Sequence, residues 1–212
     1  MKVVIHTFGS EGDFWPYCNL SSGLKAEGLD VLLCGPRRFI HIARNLGIPY
    51  KVTPPEIPTS LPKEALDPCT ANLFLKEYIA SNSQYTQMSF SGVIRKEDIY
   101  VYSAMTPGGS AYADYVGAQS VLMCHSPPSF LDSSELFEKQ KSEHRSALPK
   151  FIFLTYPKDF CAPNKGIDFP IVQSCYPFRE EPINLSKRKT GVAATLGSIV
   201  QDPGNFFSSF NS

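Results

Sequence analysis

Residues 1–36 alternate between apolar runs and a longer amphipathic segment, an order that is typical of a β-α-β unit. The apolar run 3–5 predicts a first strand, and a glycine-bearing turn at 9–13 follows it directly. An amphipathic run then ends at Gly28, and the apolar run 31–34 predicts a second strand. Ligands bind beyond the carboxyl ends of the strands in open parallel sheets. The turn at 9–13 is therefore where the sequence predicts a functional site.

The same alternation continues along the chain. We predict strands over 2–7, 30–34, 48–52, 99–104, 120–124, 151–155 and 171–174, and helices over 14–27, 37–46, 70–94, 108–116 and 133–146. Asp13 is expected to cap the first helix, with Pro16 in its first turn, where a missing N–H is tolerated. This order predicts an α/β fold, an open, doubly wound, Rossmann-like sheet of about seven parallel strands with right-handed crossovers.

Composition argues against several classes of protein. The chain has 212 residues, and its 20 basic and 20 acidic side chains give a formal net charge of zero, so no basic excess favours nucleic-acid binding. No apolar stretch approaches the ~20 residues of a membrane helix. The cysteines and histidines lack metal-like spacing, so we predict neither a metal site nor a disulfide framework. Polar residues from His6 onward argue against a secretion signal, and a cytoplasmic location is expected.

The pattern changes near the carboxyl end. Residues 1–178 are predicted to form one Rossmann-like domain, and 179–190 a polar linker. Residues 191–212 then begin another strand, a Gly-Ser turn and a helix, as the first unit does. We expect this segment to be the truncated start of a second domain. Its strand 192–196 would pair with the first domain or with another chain, because an open strand edge must be covered.

Two segments resemble a known family. Residues 7–16 (TFGSEGDFWP) resemble the opening of GT-B glycosyltransferases of the macrolide, glycopeptide and sterol glucosyltransferase type. Residues 195–204 (TLGSIVQDPG) resemble the start of the second, nucleotide-sugar-binding domain of these enzymes. The resemblance implies the amino-terminal, acceptor-binding half of a GT-B enzyme, followed by the first strand and turn of the donor half.

The family implies an inverting, metal-independent transfer of a hexose from a nucleotide sugar to an acceptor hydroxyl. Asp13 occupies the position of the general base, and His125, expected at the same sheet edge, would assist it. Ser10, Gly12 and Ser198 match the turns that face the donor phosphates. The nucleotide sugar is then a co-substrate, and no cofactor is expected.

Each candidate has a purely structural alternative. Asp13 as a helix cap, Gly12 as a glycine required by a tight turn, and His125 as an ordinary loop histidine are all compatible with the sequence. Aromatic side chains are predicted to line an apolar acceptor cleft, although their helical spacing also suits a core. These residues are Trp15, Phe74, Tyr78 and Tyr85.

Two functions remain open at this point. The first is hexosyl transfer to a small apolar or lipid-like acceptor, such as a sterol, lipid or polyketide aglycone, in which this chain supplies the acceptor half and turns over poorly alone. The second is a non-catalytic relative that binds a hydrophobic ligand or docks on a separate donor-binding subunit. A Rossmann oxidoreductase is disfavoured because the G-x-G-x-x-G motif is missing.

Overall fold

The computed structural model describes residues 1–56, 71–103, 105–124, 151–155 and 171–173. In chain order the elements are β1 (Lys2–His6), α1 (Glu11–Ala26), β2 (Asp30–Gly35), a 3-10 turn (Arg37–Phe39), α2 (Ile40–Asn45), β3 (Tyr50–Val52), α3 (Ala71–Ser89), β4 (Ile99–Tyr102), α4 (Pro107–Val116), β5 (Gln119–Cys124), β6 (Phe151–Leu154) and β7 (Ile171–Gln173). Of these helices, none has the length and apolar character that crossing a membrane requires.

The seven strands form one sheet in the order β3-β2-β1-β4-β5-β6-β7, and every neighbouring pair is parallel. The chain winds outward from β1 to β3, returns to place β4 beside β1, and then winds outward to β7. The winding direction therefore reverses between β1 and β4. In such sheets this switch point opens a crevice at the carboxyl ends of the two strands. The predicted doubly wound parallel sheet is confirmed.

Buried side chains cover both faces of the sheet. On one face, Ile5 of β1 packs in a cluster with Phe14 of α1. On the other face, Val4 of β1 packs in a cluster with Tyr100 of β4 and Ala113 of α4. Successive residues of β1 thus enter opposite cores, which explains why the strand is a continuous apolar run rather than an alternating one. The apolar run in the sequence predicts where the strand lies in the chain. Packing of its alternate side chains into the two cores places β1 at the centre of the fold.

Helix α1 begins at Glu11, three residues before the predicted start at 14. Ser10 is the N-cap residue in extended conformation, and Asp13 is the third residue of the helix. Asp13 is therefore not the N-cap residue, as predicted, but its carboxylate completes a capping box with Ser10, and Pro16 lies beyond the first turn rather than in it. The earlier start arises because the Asp13 carboxylate reaches back to the Ser10 N–H. Pro16 is tolerated inside the helix because the carbonyl that it leaves unpaired belongs to Gly12, an exposed residue.

The other described elements agree with the predicted ones to within a few residues. The strand predicted over 48–52 begins at Tyr50, and the helix predicted over 70–94 ends at Ser89. Three predicted features lie outside the described residues and are not tested: the helix at 133–146, the linker at 179–190 and the second-domain start at 191–212.

Candidate active site

The connection between β1 and α1 lies at the switch point and packs closely on the end of β2. The Thr7 N–H donates to the Cys34 carbonyl at 3.0 Å, and the Thr7 hydroxyl donates to the Asp13 carbonyl at 3.2 Å. A Cβ added to Gly35 would lie 2.8 Å from the Thr7 carbonyl oxygen, so the two strand ends approach more closely than most side chains permit. This packing places the turn firmly at the carboxyl edge of the sheet.

Asp13 is held at this edge by two hydrogen bonds from one residue. Its Oδ2 accepts the Ser10 N–H at 2.6 Å and the Ser10 hydroxyl at 2.9 Å. The side chain is half-buried. The carboxylate is thereby oriented by the turn itself, at the place where the sequence predicts a ligand.

Gly9 is the glycine that this geometry requires. Its φ is +125°, and a Cβ at this position would lie 2.3 Å from Asp13 Oδ2. Gly12, by contrast, is exposed, and an added Cβ there would meet only the Ser10 hydroxyl oxygen at 3.6 Å. Gly12 is also the second residue of α1, and its φ is not positive, so the interpretation of Gly12 as a glycine required by backbone angles is wrong. The sequence signal that could have identified Gly9 as the required glycine was its position, because Gly9 lies closer than Gly12 to the end of β1.

Arg38 contacts the same turn and was not anticipated from the sequence. Its Nη2 donates to the Gly9 carbonyl oxygen at 2.9 Å, and its guanidinium carbon lies 4.5 Å from the centre of the Phe39 ring. The Phe39 ring in turn stacks on Phe14 with centroids 4.2 Å apart. Arg38 is 29 residues from Gly9. No local sequence pattern predicts a contact between residues so far apart in the chain.

Three stacked side chains, the aromatic row, lead away from the turn: Phe8, Tyr78 and Phe74. The ring centroids of Phe8 and Tyr78 are 6.2 Å apart, and those of Phe74 and Tyr78 are 6.0 Å apart. The Tyr78 hydroxyl donates to the Glu56 carbonyl. Burial, with Glu56 nearby, raises the pKa of Tyr78, so the phenol stays protonated at neutral pH. The fold thus brings two predicted acceptor contacts, Phe74 and Tyr78, beside the turn.

The two other predicted acceptor contacts are more exposed. Trp15 lies on α1 with 41% of its surface exposed and meets Phe14 edge-on at 6.1 Å. Tyr85 lies on α3, the helix of Tyr78, and is 67% exposed. Within the described part of the chain, neither ring stacks on the aromatic row.

Of the predicted phosphate contacts at the turn, Ser10 is hydrogen-bonded to Asp13. The N–H and the hydroxyl of Ser10 both donate to Asp13. Glu11 lies in the same first turn and adds a second acidic side chain. A role for Ser10 and Gly12 in binding phosphate stays a prediction. His125 and Ser198 lie outside the described residues.

His6 lies directly before the turn and is completely buried. Its Nδ1 is 2.8 Å from the Tyr100 hydroxyl, and its ring meets Phe90 edge-on at 4.9 Å. Burial lowers the pKa of His6 to about 3, against the opposing effect of the Pro54 backbone, so the imidazole is neutral. His6 is a core histidine. Among the described residues, no three His, Cys, Asp or Glu side chains form a group that could hold a metal ion.

Solved structures share this arrangement of strands and helices. Spinosyn rhamnosyltransferase SpnG superposes with a TM-score of 0.59 at 16% identity, over 81% of this chain and 50% of that one. Glycosyltransferase SsfS6 from Streptomyces sp. SF2575, complexed with thymidine diphosphate, superposes with a TM-score of 0.57 at 16% identity, over 76% and 51%. This chain has the fold of the amino-terminal half of a GT-B glycosyltransferase.

A sequence relative points to the same class as the GT-B fold. O-mycaminosyltylonolide 6-deoxyallosyltransferase from Streptomyces fradiae is 35% identical over 54 residues, which are 26% of this chain and 13% of that protein. No protein-family model matches the chain. The chain spans about half the length of the solved glycosyltransferases that it resembles.

Proposed function

We propose that this chain supplies the acceptor half of a glycosyltransferase that moves a hexose from a nucleotide sugar to a hydroxyl of a small apolar or lipid-like acceptor. The observation that carries the proposal is the Asp13 carboxylate, which is half-buried and held by Ser10 at the switch point. The GT-B fold and the name of the sequence relative support sugar transfer as the general class of reaction.

In this proposal Asp13 is the general base. Its carboxylate takes the proton of the acceptor hydroxyl while that oxygen forms a bond to the anomeric carbon. The bond from the anomeric carbon to the donor phosphate breaks on the opposite side, so the configuration inverts and a nucleoside diphosphate leaves. A positioned base contributes about 10²–10⁴-fold in rate. The reaction needs no metal if protein N–H groups and cations stabilise the leaving diphosphate.

The aromatic row is the proposed acceptor platform. Phe8 is buried, Tyr78 lies between the rings of Phe8 and Phe74, and the half-buried Phe74 and Tyr78 form the accessible part of the row. The polar end of Tyr78 is already hydrogen-bonded to Glu56. Such a surface suits a flat, largely hydrocarbon acceptor with one hydroxyl that reaches Asp13. We assign further acceptor contacts to Trp15 and Tyr85. His125 as an assisting base and Ser198 as a donor-phosphate contact complete the proposed site.

A second function is favoured by the charge of the turn. Glu11 and Asp13 place two acidic groups where a donor diphosphate would lie, and Asp13 takes both side-chain and backbone donors of Ser10. Negative carboxylates close to a negative diphosphate repel it and weaken its binding. In this alternative the aromatic row binds a hydrophobic ligand without catalysis, or the chain docks on a separate donor-binding subunit.

The decisive experiment compares Asp13→Asn with Glu11→Gln, an exposed acidic neighbour in the same turn. Because the chain supplies the acceptor half and should turn over slowly alone, it is incubated for long times with nucleotide hexoses and hydroxylated aglycones, and the slow formation of glycoside is quantified by mass spectrometry together with release of nucleoside diphosphate. Asp13→Asn should lower the rate about 10²–10⁴-fold. Glu11→Gln should not lower the rate, because Glu11 accepts no proton in the proposed step, and a chelator should leave the rate of the unmodified chain unchanged.

Two results would contradict the proposal in different ways. A wild-type rate in Asp13→Asn refutes the role of this carboxylate as the base. Saturable binding of aglycones, measured by the fluorescence of Trp15, without any glycoside from any nucleotide sugar favours the non-catalytic function instead. Trp15 is the only tryptophan of the chain, so the fluorescence comes from a single position in α1, two residues after Asp13.

A further inference from the structure

The peptide group between Gly9 and Ser10 is bound from both of its sides. Its carbonyl oxygen, on Gly9, accepts from Arg38 Nη2 at 2.9 Å. Its N–H, on Ser10, donates to Asp13 Oδ2 at 2.6 Å. A peptide group is planar, and in the trans form its C=O and N–H point in opposite directions. The orientation that Arg38 imposes on the oxygen is therefore imposed on the N–H that holds the carboxylate.

This peptide group needs such a restraint because Gly9 is free to rotate. Gly9 has a φ of +125°, a conformation that glycine adopts as readily as several others. Rotation of the peptide plane would turn the Ser10 N–H away from Asp13 at little backbone cost. The Arg38 hydrogen bond opposes that rotation, since the carbonyl oxygen would have to leave a charged donor.

Arg38 is itself anchored to the helix that carries Asp13. Its guanidinium lies over the Phe39 ring, and Phe39 stacks on Phe14, the neighbour of Asp13 in α1. The contacts thus close a loop from the turn through Arg38 and two aromatic rings back to the start of α1. Arg38 is thus held at the turn by a hydrogen bond and at the start of α1 by its contact with Phe39.

We propose that Arg38 is a positioning residue for Asp13, acting through the Gly9–Ser10 peptide group. The inference rests on the proposed role of Asp13 as the base. A cationic donor on the carbonyl also polarises the peptide, which strengthens the Ser10 N–H as a donor to the carboxylate. Arg38 therefore sets both the direction of the carboxylate and the strength of the bond that holds it.

The test compares Arg38→Met with Arg37→Met. Methionine keeps an apolar stem over Phe39 but removes the donor and the charge, whereas Arg37 contacts Glu56 through its backbone N–H, which the substitution keeps. Hydrogen exchange of the Ser10 amide, followed by nuclear magnetic resonance, should be about tenfold faster in Arg38→Met. Exchange should be unchanged in Arg37→Met. The Val101 amide in β4 reports in both variants whether the fold is intact.

Catalysis supplies a readout that a purely structural role would not move. In Arg38→Met we expect kcat to fall about tenfold with KM unchanged, and the acid limb of the pH–rate profile to move to higher pH. Arg38→Lys, which restores the cation but not the planar fork, should recover part of both effects.

The outcomes separate this inference from the proposed function. Unchanged Ser10 exchange and an unchanged pH profile in Arg38→Met would overturn the positioning role. If Asp13→Asn keeps the wild-type rate while Arg38→Met still accelerates Ser10 exchange, the base assignment fails and only the structural contact remains. If the Val101 amide loses its protection in Arg38→Met, that variant is not folded and Arg38→Lys is measured instead. Ser10 exchange and kcat equal to those of the unmodified chain in Arg38→Lys would then count against the need for the planar guanidinium.

Discussion

At the scale of single residues, the site depends on a missing side chain as much as on the side chains present. Asp13 Oδ2 occupies the space that a Cβ on Gly9 would take, at a separation of 2.3 Å. Any other residue at Gly9 would displace the carboxylate from Ser10 and would also strain the backbone at a φ of +125°. The position of the proposed base is thus coupled to one glycine four residues earlier.

Gly9→Ala should therefore lower the free energy of unfolding by about 2 kcal/mol. The matched control is Gly23→Ala in α1, where an added Cβ meets nothing within 4 Å. That control should raise the free energy of unfolding by about 0.5–1 kcal/mol, because alanine is the better helix former. Urea denaturation followed by circular dichroism measures both. Equal stability of the two variants would contradict the crowding at Gly9.

At the scale of elements, glycines set how closely α4 approaches its neighbours. A Cβ on Gly109 would lie 1.8 Å from the Tyr100 hydroxyl oxygen in β4, and one on Gly108 would lie 2.5 Å from the Ser83 carbonyl oxygen in α3. Helix α4 consequently lies against the strand on one side and against α3 on the other. Because of this close approach, α4 covers Tyr100, the side chain that hydrogen-bonds to the buried His6.

Gly109→Ala should destabilise the protein by about 1–3 kcal/mol, the usual cost of overpacking. Tyr100→Phe removes the nearest atom but leaves the His6 Nδ1 without its partner, at about 1 kcal/mol. The double variant should be less destabilised than the sum of the two single variants, since the phenylalanine relieves part of the clash. Strict additivity of the three unfolding free energies would show that α4 moves away from β4 instead.

At the scale of the whole molecule, the neutral His6 makes the stability of the fold depend on pH. The pKa of His6 is about 3 in the folded chain, well below its ordinary value of 6.5. At a pH between about 3 and 6.5, His6 binds a proton in the unfolded chain but stays neutral in the folded chain. The contribution of His6 is therefore fully present above pH 6.5 and is lost progressively as the pH falls toward 3.

Urea denaturation at pH 7 and at pH 4.5 tests this linkage. The unmodified chain should lose stability at the lower pH, and the double variant His6→Phe with Tyr100→Phe should lose clearly less. Tyr100→Phe alone is the control, because it removes the hydroxyl but keeps the buried imidazole. It should therefore retain the pH dependence. The same pH dependence in the double variant and in the unmodified chain would refute the assignment.

The alternation of apolar runs and amphipathic segments was sufficient to predict the sheet, its parallel strands and the edge where the site lies. Those features follow from hydrophobic patterning, which is local and repeats along the chain. The position of Asp13 beyond β1 was readable for the same reason. The start of α1 was not, because Ser10 and Asp13 bond to each other and extend the helix toward the strand.

By itself, then, the sequence determined the class of fold and placed one carboxylate at the sheet edge where ligands bind. Only the tertiary structure decided what surrounds that carboxylate. The Arg38 contact joins residues 29 apart, and the stack of Phe8 on Tyr78 joins two elements that are remote in sequence. The physical reason is that patterning specifies which surfaces are buried, whereas contacts between distant residues depend on how those surfaces pack.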